Sequence, residues 1–207
     1  VDIGRAIGGL APFRAAELRY DGRPIRSRTP TEALRDGIVY LPADRRAEGL
    51  FLRLDVRQNI VASTLRELSL GPWMRDASAA ETASQFVRSL RIRTPSLRQQ
   101  VGNLSGGNQQ KVVLARGLTV NSGLVIADDP TRGIDVGTKA EIYDLLRGLA
   151  DAGKTVLLIS SEVPELLAVC DRILVIRAGR VAAELPRAAA SEERIMSLAS
   201  GDFARAS

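Results

Sequence analysis

Leu104-Ser105-Gly106-Gly107-Asn108-Gln109-Gln110-Lys111 decides how this chain is read. A hydroxyl and two consecutive glycines stand at the head of an apolar run, Val112-Val113-Leu114-Ala115. Such a composition suits a helix that opens onto an anion. Ser105 is expected to cap the helix, the glycines let another group come close to the backbone, and the first N–H groups point outward with the positive end of the helix dipole. The same residues would also suit an ordinary turn before a surface helix, so the surroundings must decide.

Downstream lies Leu124-Val125-Ile126-Ala127-Asp128-Asp129-Pro130-Thr131, an apolar strand that ends in two carboxylates and a proline. Carboxylates at the carboxyl end of a buried strand are placed to hold magnesium and an attacking water in phosphoryl transfer. Two solvated turn acids are the plainer alternative. Asp135, after Arg132-Gly133-Ile134, adds a third acid on the same loop. A second apolar run, Thr155-Val156-Leu157-Leu158-Ile159, ends in Ser160-Ser161-Glu162.

In this order, these residues resemble the ATP-binding cassette (ABC) ATPases. Leu104 to Gln109 matches their signature loop, Leu124 to Asp129 their Walker B strand, and Gly133-Ile134-Asp135 their D-loop. The nearer resemblance is to the second nucleotide-binding domain of bacterial monosaccharide importers of the ribose, galactose and xylose type. It is carried by Tyr40-Leu41-Pro42-Ala43-Asp44-Arg45-Arg46-Ala47-Glu48-Gly49-Leu50, by the Asn-Gln-Gln-Lys end of the signature, by Pro130-Thr131-Arg132-Gly133-Ile134-Asp135-Val136-Gly137, and by Ser160-Ser161-Glu162-Val163-Pro164-Glu165-Leu166.

Bulk properties agree with a nucleotide-handling globular domain. The chain has 207 residues, of which 45% are hydrophobic and 26% charged, enough for a core and a solvated surface. Aromatics are only 4%, so Leu, Val, Ile and Ala must carry the packing. A net charge of +5 admits nucleic acid, a membrane surface or polyphosphate as partners. Its arginines are scattered without basic runs or interleaved aromatics, which argues against nucleic acid. The single cysteine, Cys170, excludes an internal disulfide, fits a reducing compartment, and reads as a small apolar residue at a helix end. No apolar stretch is long enough to span a bilayer, and Val1-Asp2-Ile3-Gly4-Arg5 does not read as a signal peptide. There is no initiating Met and no Gly-x-x-x-x-Gly-Lys-[Ser/Thr], so the sequence reads as a fragment that begins just after a P-loop.

The expected fold is α/β, a P-loop NTPase cassette with a mostly parallel sheet. Residues 1–52 would form a β-rich part with the Q-loop, 53–103 a helical subdomain, and 104–207 the signature helix, Walker B strand and C-terminal α/β part. A hairpin is expected over 15–28, turning at Asp21-Gly22, and a short helix over 31–36 capped by Thr29 or Thr31. Ile38 to Leu41 reads as a buried strand and 42–50 as a loop. Helices are expected over 56–70, broken by Gly71-Pro72, then over 77–92, 103–117, 136–152, 164–170 and 191–199. Strands are expected over 155–160, 172–177 and from 181 through Glu184. Trp73-Met74 could contact a partner or pack within the subdomain. By resemblance, a P-loop strand belongs between 155–160 and 172–177 and is missing here.

The resemblance also implies the chemistry. Two cassettes face each other head to tail, and Ser105, Gly106, Gly107, Asn108 and Gln109 bind the ATP held by the companion's P-loop. Asp135, on the D-loop, contributes to ATP binding at the same interface. Asp128 holds Mg2+, Asp129 stands at the catalytic-base position and Ser161 at the switch-histidine position. Three of these positions are weak. Ala43 replaces the Q-loop amide or carboxylate, Asp129 is a methylene shorter than Glu, and Ser161 cannot carry the charge a histidine can. The local site is therefore expected to be degenerate. The implied partners are a companion nucleotide-binding domain, a transmembrane permease and, indirectly, a periplasmic or lipid-anchored sugar-binding protein, with no nucleic acid. The implied place is the cytoplasmic face of the bacterial plasma membrane, as a peripheral ATPase subunit that is inactive as an isolated fragment. A nucleoside importer, a non-transport ABC ATPase and a regulatory half-site are the alternatives.

Overall fold

The computed structural model describes residues 2–13, 18–25, 28–66, 68–70, 73–74 and 76–201. It falls into two compact units, Val1–Ile159 and Ser160–Ser207.

The first unit is built on a three-stranded parallel sheet. Helix α1 (Asp2–Ile7) is followed by a hairpin of β1 (Arg19–Tyr20) and β2 (Arg23–Pro24), then by α2 (Pro30–Arg35) and β3 (Ile38–Leu41). The hairpin turns at Asp21-Gly22, as the sequence suggests; residues 15–17 and 26–27 of the expected segment lie outside the described residues. Thr29 caps α2 by accepting from the Glu32 N–H, with Pro30 in the first turn.

After β3, Asp44 caps a π-helical turn, Arg45–Gly49, where the sequence suggested an irregular loop. Helix α3 (Val56–Val61) opens with a capping box between Asp55 and Gln58. Asn59, fully buried, fastens the preceding loop through the Phe51 N–H and the Phe51, Leu54 and Asp55 carbonyls. The expected helix over 56–70 stops here. The Thr64 hydroxyl bonds back to the Val61 carbonyl, an alternative to continuing the helix. A hairpin of β4 (Ser69–Leu70) and β5 (Trp73–Met74) follows. The Trp73 and Met74 side chains, and Gly71-Pro72, lie outside the described residues. Helix α4 (Asp76–Ser89) completes this part.

Helix α5 (Gly106–Leu118), β6 (Leu124–Asp128), α6 (Val136–Asp151) and β7 (Thr155–Ile159) form the rest of the unit. The strand order is β3-β6-β7, all parallel, with Leu41 opposite Ala127 and Asp128 opposite Ile159. Parallel strands covered on both faces read as unbroken apolar runs, and Leu124 to Ala127 are all buried. Alternation along β3 separates the two layers. A Cβ on Gly117 of α5 would come within 2.8 Å of Val39 and 2.9 Å of Leu41, whereas one on Gly8, just after α1, would come within 2.8 Å of Tyr40. Both helices lie directly on the sheet, from opposite sides.

The second unit contains α7 (Val163–Val169), β8 (Arg172–Arg177), β9 (Arg180–Pro186) and α8 (Glu192–Ser200). The strands form an antiparallel hairpin, turning at Ala178-Gly179, and β9 runs two residues past the expected end at Glu184. Ser191 caps α8 and left-handed Gly201 ends it. Ile173, Val175, Leu185, Ile195 and Leu198 form the core, with Cys170 against it. Among the described residues, β7 pairs with β6 alone and β8 with β9 alone. No helix among them is long and apolar enough to cross a membrane.

Candidate functional site

Helix α5 begins where the Ser-Gly-Gly sequence places it, but its serine does not cap it. Ser105 has the extended backbone of an N-cap residue, yet its side chain makes no bond to the helix amides. Its hydroxyl oxygen instead accepts from Asn108 Nδ2 at 2.9 Å. The Asn108 carbonyl oxygen in turn accepts from the Arg93 N–H at 2.7 Å. Asn108 thus joins the segment after α4 to the serine, with both ends of its amide engaged. The first amides of this thirteen-residue helix are left without a side-chain cap, next to the positive end of its dipole.

Gln109 is 2% exposed, and its amide donates to the carbonyls of Val101, Gly102 and Leu104. It holds the loop from beneath, and at that depth it cannot reach a ligand outside. Lys111 is equally buried and anchors the helix from its far side, donating to Glu141 of α6 at 2.5 Å and to the Arg91 carbonyl at 3.1 Å. The bond from Lys111 holds the Glu141 carboxyl below its ordinary range.

The two glycines serve packing as well as access. A Cβ on Gly107 would lie 2.2 Å from the Thr138 methyl, and one on Gly106 would lie 2.7 Å from the Arg45 guanidinium. Thr138 is itself fixed, because its hydroxyl and N–H both donate to Asp135. Asp135 is therefore the cap of α6, and these bonds hold its carboxyl low. Beside it, Val136, the first residue of α6, is 83% exposed.

At the end of β6, Asp128 is 2% exposed. Tyr40 on the neighbouring strand donates to its Oδ2 at 2.6 Å. Burial and this bond push the Tyr40 phenol well above its ordinary value, so it stays a donor. One carboxylate oxygen is thereby oriented by the protein. A single rigid carboxylate at a strand end fits magnesium, which takes one or two protein carboxylates and fills its other positions from phosphates and water. Tyr40→Phe would leave a buried carboxylate short of one donor. We expect it to cost about 2 kcal/mol, read as a fall of roughly 4–8 °C in the cassette's unfolding midpoint.

Asp129 adopts a left-handed backbone, φ +40°, and its N–H donates to the Ile159 carbonyl at 2.8 Å. The positive φ turns the chain sharply after the strand and separates the directions of the two aspartates. Ala43, half-buried, has only a methyl to offer. Asp44 beside it is turned back on its own loop, accepting from the Arg46 and Ala47 N–H groups, which hold its carboxyl low. Ser161 belongs to the second unit and is exposed there. Its neighbour Ser160 donates a short hydrogen bond to the buried carboxylate of Glu165 and accepts from the Glu162 N–H.

Three contributors gave no sign in the sequence of what they touch. Tyr40, Arg45 and Thr138 act on motif residues from 88, 61 and 31 positions away along the chain, as Tyr40 to Asp128, Arg45 to Gly106 and Thr138 to Gly107. Only the parallel pairing of β3 with β6 could have hinted at the first.

Comparison with known proteins agrees with this geometry. Residues 3–132 match the model of the ABC transporter family. A ribose import ATP-binding protein of Rubrobacter xylanophilus is 47% identical over 97% of this chain and 40% of its own length. A xylose import ATP-binding protein of Moorella thermoacetica is 44% identical over 94% of this chain and 38% of its own. The chain thus spans about two fifths of the curated relatives it matches. Among solved structures, a nucleotide-free ATP-binding cassette from an ABC transporter superposes with a TM-score of 0.77 at 20% identity, covering 96% of this chain and 79% of that one. A post-hydrolysis cassette dimer bound to ADP and Pi gives 0.72 at 22% identity, covering 90% and 79%. With its parallel sheet, its Ser-Gly-Gly helix start and this family match over more than half its length, the chain belongs to the ABC transporter family of ATP-binding cassettes.

Proposed function

We propose that this chain is part of the ATPase subunit of a monosaccharide importer, working in a head-to-tail pair of cassettes at the cytoplasmic face of the membrane. The observation that carries the reading is the N-terminus of α5, whose first amides have no side-chain cap and whose exposed Ser105, an acceptor for Asn108, keeps its hydroxyl proton to donate to the terminal phosphate of an ATP held by the companion cassette. Preorganised donors of this kind stabilise charge that develops on a transferring phosphoryl group without reorganising at the moment of reaction. Val136, exposed at the start of α6, supports a facing protein surface at the same place.

The chain's own residues divide the labour. Asp128, oriented by Tyr40, would hold Mg2+, which when bound neutralises phosphate charge. Asp129 would orient water, but from a side chain one methylene shorter than Glu. Misplacement by about an ångström costs on the order of a hundredfold in rate. Ala43 offers no ligand. The site these residues serve therefore turns over slowly, and the companion's site, completed by Ser105, Gly106 and Gly107, does most of the hydrolysis.

The names of the relatives favour ribose- or xylose-type sugars, delivered by a binding protein to a permease that this subunit drives. The test is uptake by the full-length protein reconstituted with its permease and binding protein in proteoliposomes. ATP-dependent accumulation of labelled ribose, galactose or xylose is expected. Accumulation of a nucleoside but none of the three sugars would overturn the substrate class, and uptake indifferent to ATP would overturn the ATPase reading.

A further inference from the structure

Arg45 joins three segments of the site. It opens the π-helical turn after β3. Its Nη1 donates to the Arg132 carbonyl at 2.6 Å and its Nη2 to the Gly133 carbonyl at 3.2 Å. Both carbonyls lie in the loop between β6 and α6. The same Nη2 sits where a Cβ on Gly106 would come within 2.7 Å, so the guanidinium also rests against the first residue of α5.

The arrangement is specific to arginine. Two carbonyls on successive residues are met by two N–H groups of one planar fork, a directional match that an ammonium on a flexible stem holds less firmly. Gly133 takes φ +67°, and a Cβ there would be 3.8 Å from both Nη atoms. Room is therefore ample, and the glycine serves the backbone turn that aims its carbonyl. Nε is buried with no hydrogen-bond partner, and desolvation pulls the guanidinium below its ordinary pKa, though arginine remains charged. An alkyl side chain would fill the same space without that desolvation. What the charge adds is a two-point hold on the Arg132-Gly133 backbone.

The turn that presents Arg45 is held separately. Asp44 caps it, and Glu48 within it pairs with Arg5 of α1 at 2.7 Å. Arg45 thus ties a turn anchored on α1 and β3 to the two loops that the proposed function turns toward the companion cassette.

We infer that Arg45 is a positioning residue that fastens the Thr131-to-Asp135 loop and the head of α5 to the segment after β3, so that displacement of that segment reaches the Ser-Gly-Gly amides. The inference builds on the nucleotide reading above, and the test separates the two. Wild type, Arg45→Ala, Arg45→Gln and Arg45→Lys are compared in the full-length protein. One readout is amide hydrogen exchange at Arg132 and Ile134, whose N–H groups are bonded within the loop to Asp129 and Thr131. The other is ATP turnover, separated into kcat and KM.

In Arg45→Ala and Arg45→Gln, exchange at both amides should rise several-fold. Their kcat should fall about tenfold, as for a small misplacement of catalytic donors, with KM within twofold. Arg45→Lys should recover less than half of either change. Unchanged exchange in the Ala and Gln variants overturns the inference even if turnover falls, as does full recovery by Lys. A wild-type protein without ATPase activity overturns the nucleotide reading instead, and the exchange comparison still decides whether Arg45 holds the loop.

Discussion

Ser105→Arg in the full-length protein is expected to lower ATP turnover by roughly two to three orders of magnitude while ATP binding changes little. Ser105 is exposed at the head of α5, and its hydroxyl and the following amides are the only part of this chain assigned to the companion's nucleotide. A long cationic side chain there would fill the space in front of Gly106 and Gly107 and break the bond that Ser105 accepts from Asn108. Binding to the companion's P-loop does not use this face, so the loss falls on the chemical step. Asp129→Asn, by contrast, should change turnover less than about threefold, because a degenerate site contributes little to lose. Single-turnover ATPase measurements on both variants decide the matter. If Asp129→Asn abolished hydrolysis and Ser105→Arg left it intact, the division of labour would be the reverse.

Gly107→Ala is the second large effect, and it comes from inside the chain. Alanine is intrinsically better in a helix by about 1 kcal/mol, so propensity alone predicts a gain. The added Cβ, however, would stand 2.2 Å from the Thr138 methyl. Thr138 cannot rotate away without giving up its hydroxyl bonds, at 3.0 and 2.8 Å, to Asp135, whose carboxylate also caps α6 by accepting from the Thr138 N–H. Relief requires the head of α5 to move by about an ångström, a displacement that costs on the order of a hundredfold in rate. Overpacking of this kind also destabilises by roughly 1–3 kcal/mol. Adding Thr138→Ser removes the clashing methyl and leaves that residue's Cβ and hydroxyl oxygen at 3.0 and 3.1 Å from the new Cβ, a tight contact that a shift of a few tenths of an ångström relieves. The double variant should regain most of the lost turnover. Failure of Thr138→Ser to restore it would show that Gly107 is needed for access to the ligand and not for packing against α6.

These two cases also mark how far the sequence could be read. β3 and β6 were legible because a parallel strand covered on both faces shows as an unbroken apolar run, as in Ile38 to Leu41 at the edge of the described sheet and Leu124 to Ala127 at its centre. The cap of α2 was legible as one of two threonines, and Thr29 takes it. Ser105 was not, because its hydroxyl has two partners of similar strength within reach. Asn108 takes it only because the Arg93 amide, fifteen residues earlier, fixes that side chain. The helix over 56–70 failed for a related reason. Leu65 has helical spacing, but Thr64 bonds back to Val61 and Leu65 is 45% exposed, so the pattern is not matched by burial. The glycine pair announced a close approach without saying of what. In the folded chain the neighbours are Arg45 and Thr138, brought in by the β3 and α6 connections. The aspartates at the end of β6 were placed by the strand alone, whereas Tyr40 became their partner only through the pairing of β3 with β6.

The account stands or falls on where Ser105 lies when two cassettes close. A structure of the full-length protein trapped with a nucleotide and a γ-phosphate mimic would measure it. The Ser105 hydroxyl and the Gly107 amide should stand within roughly 3.2 Å of the mimic's terminal oxygens, on nucleotide carried by the companion cassette. A separation beyond about 5 Å, outside any hydrogen bond, would contradict it.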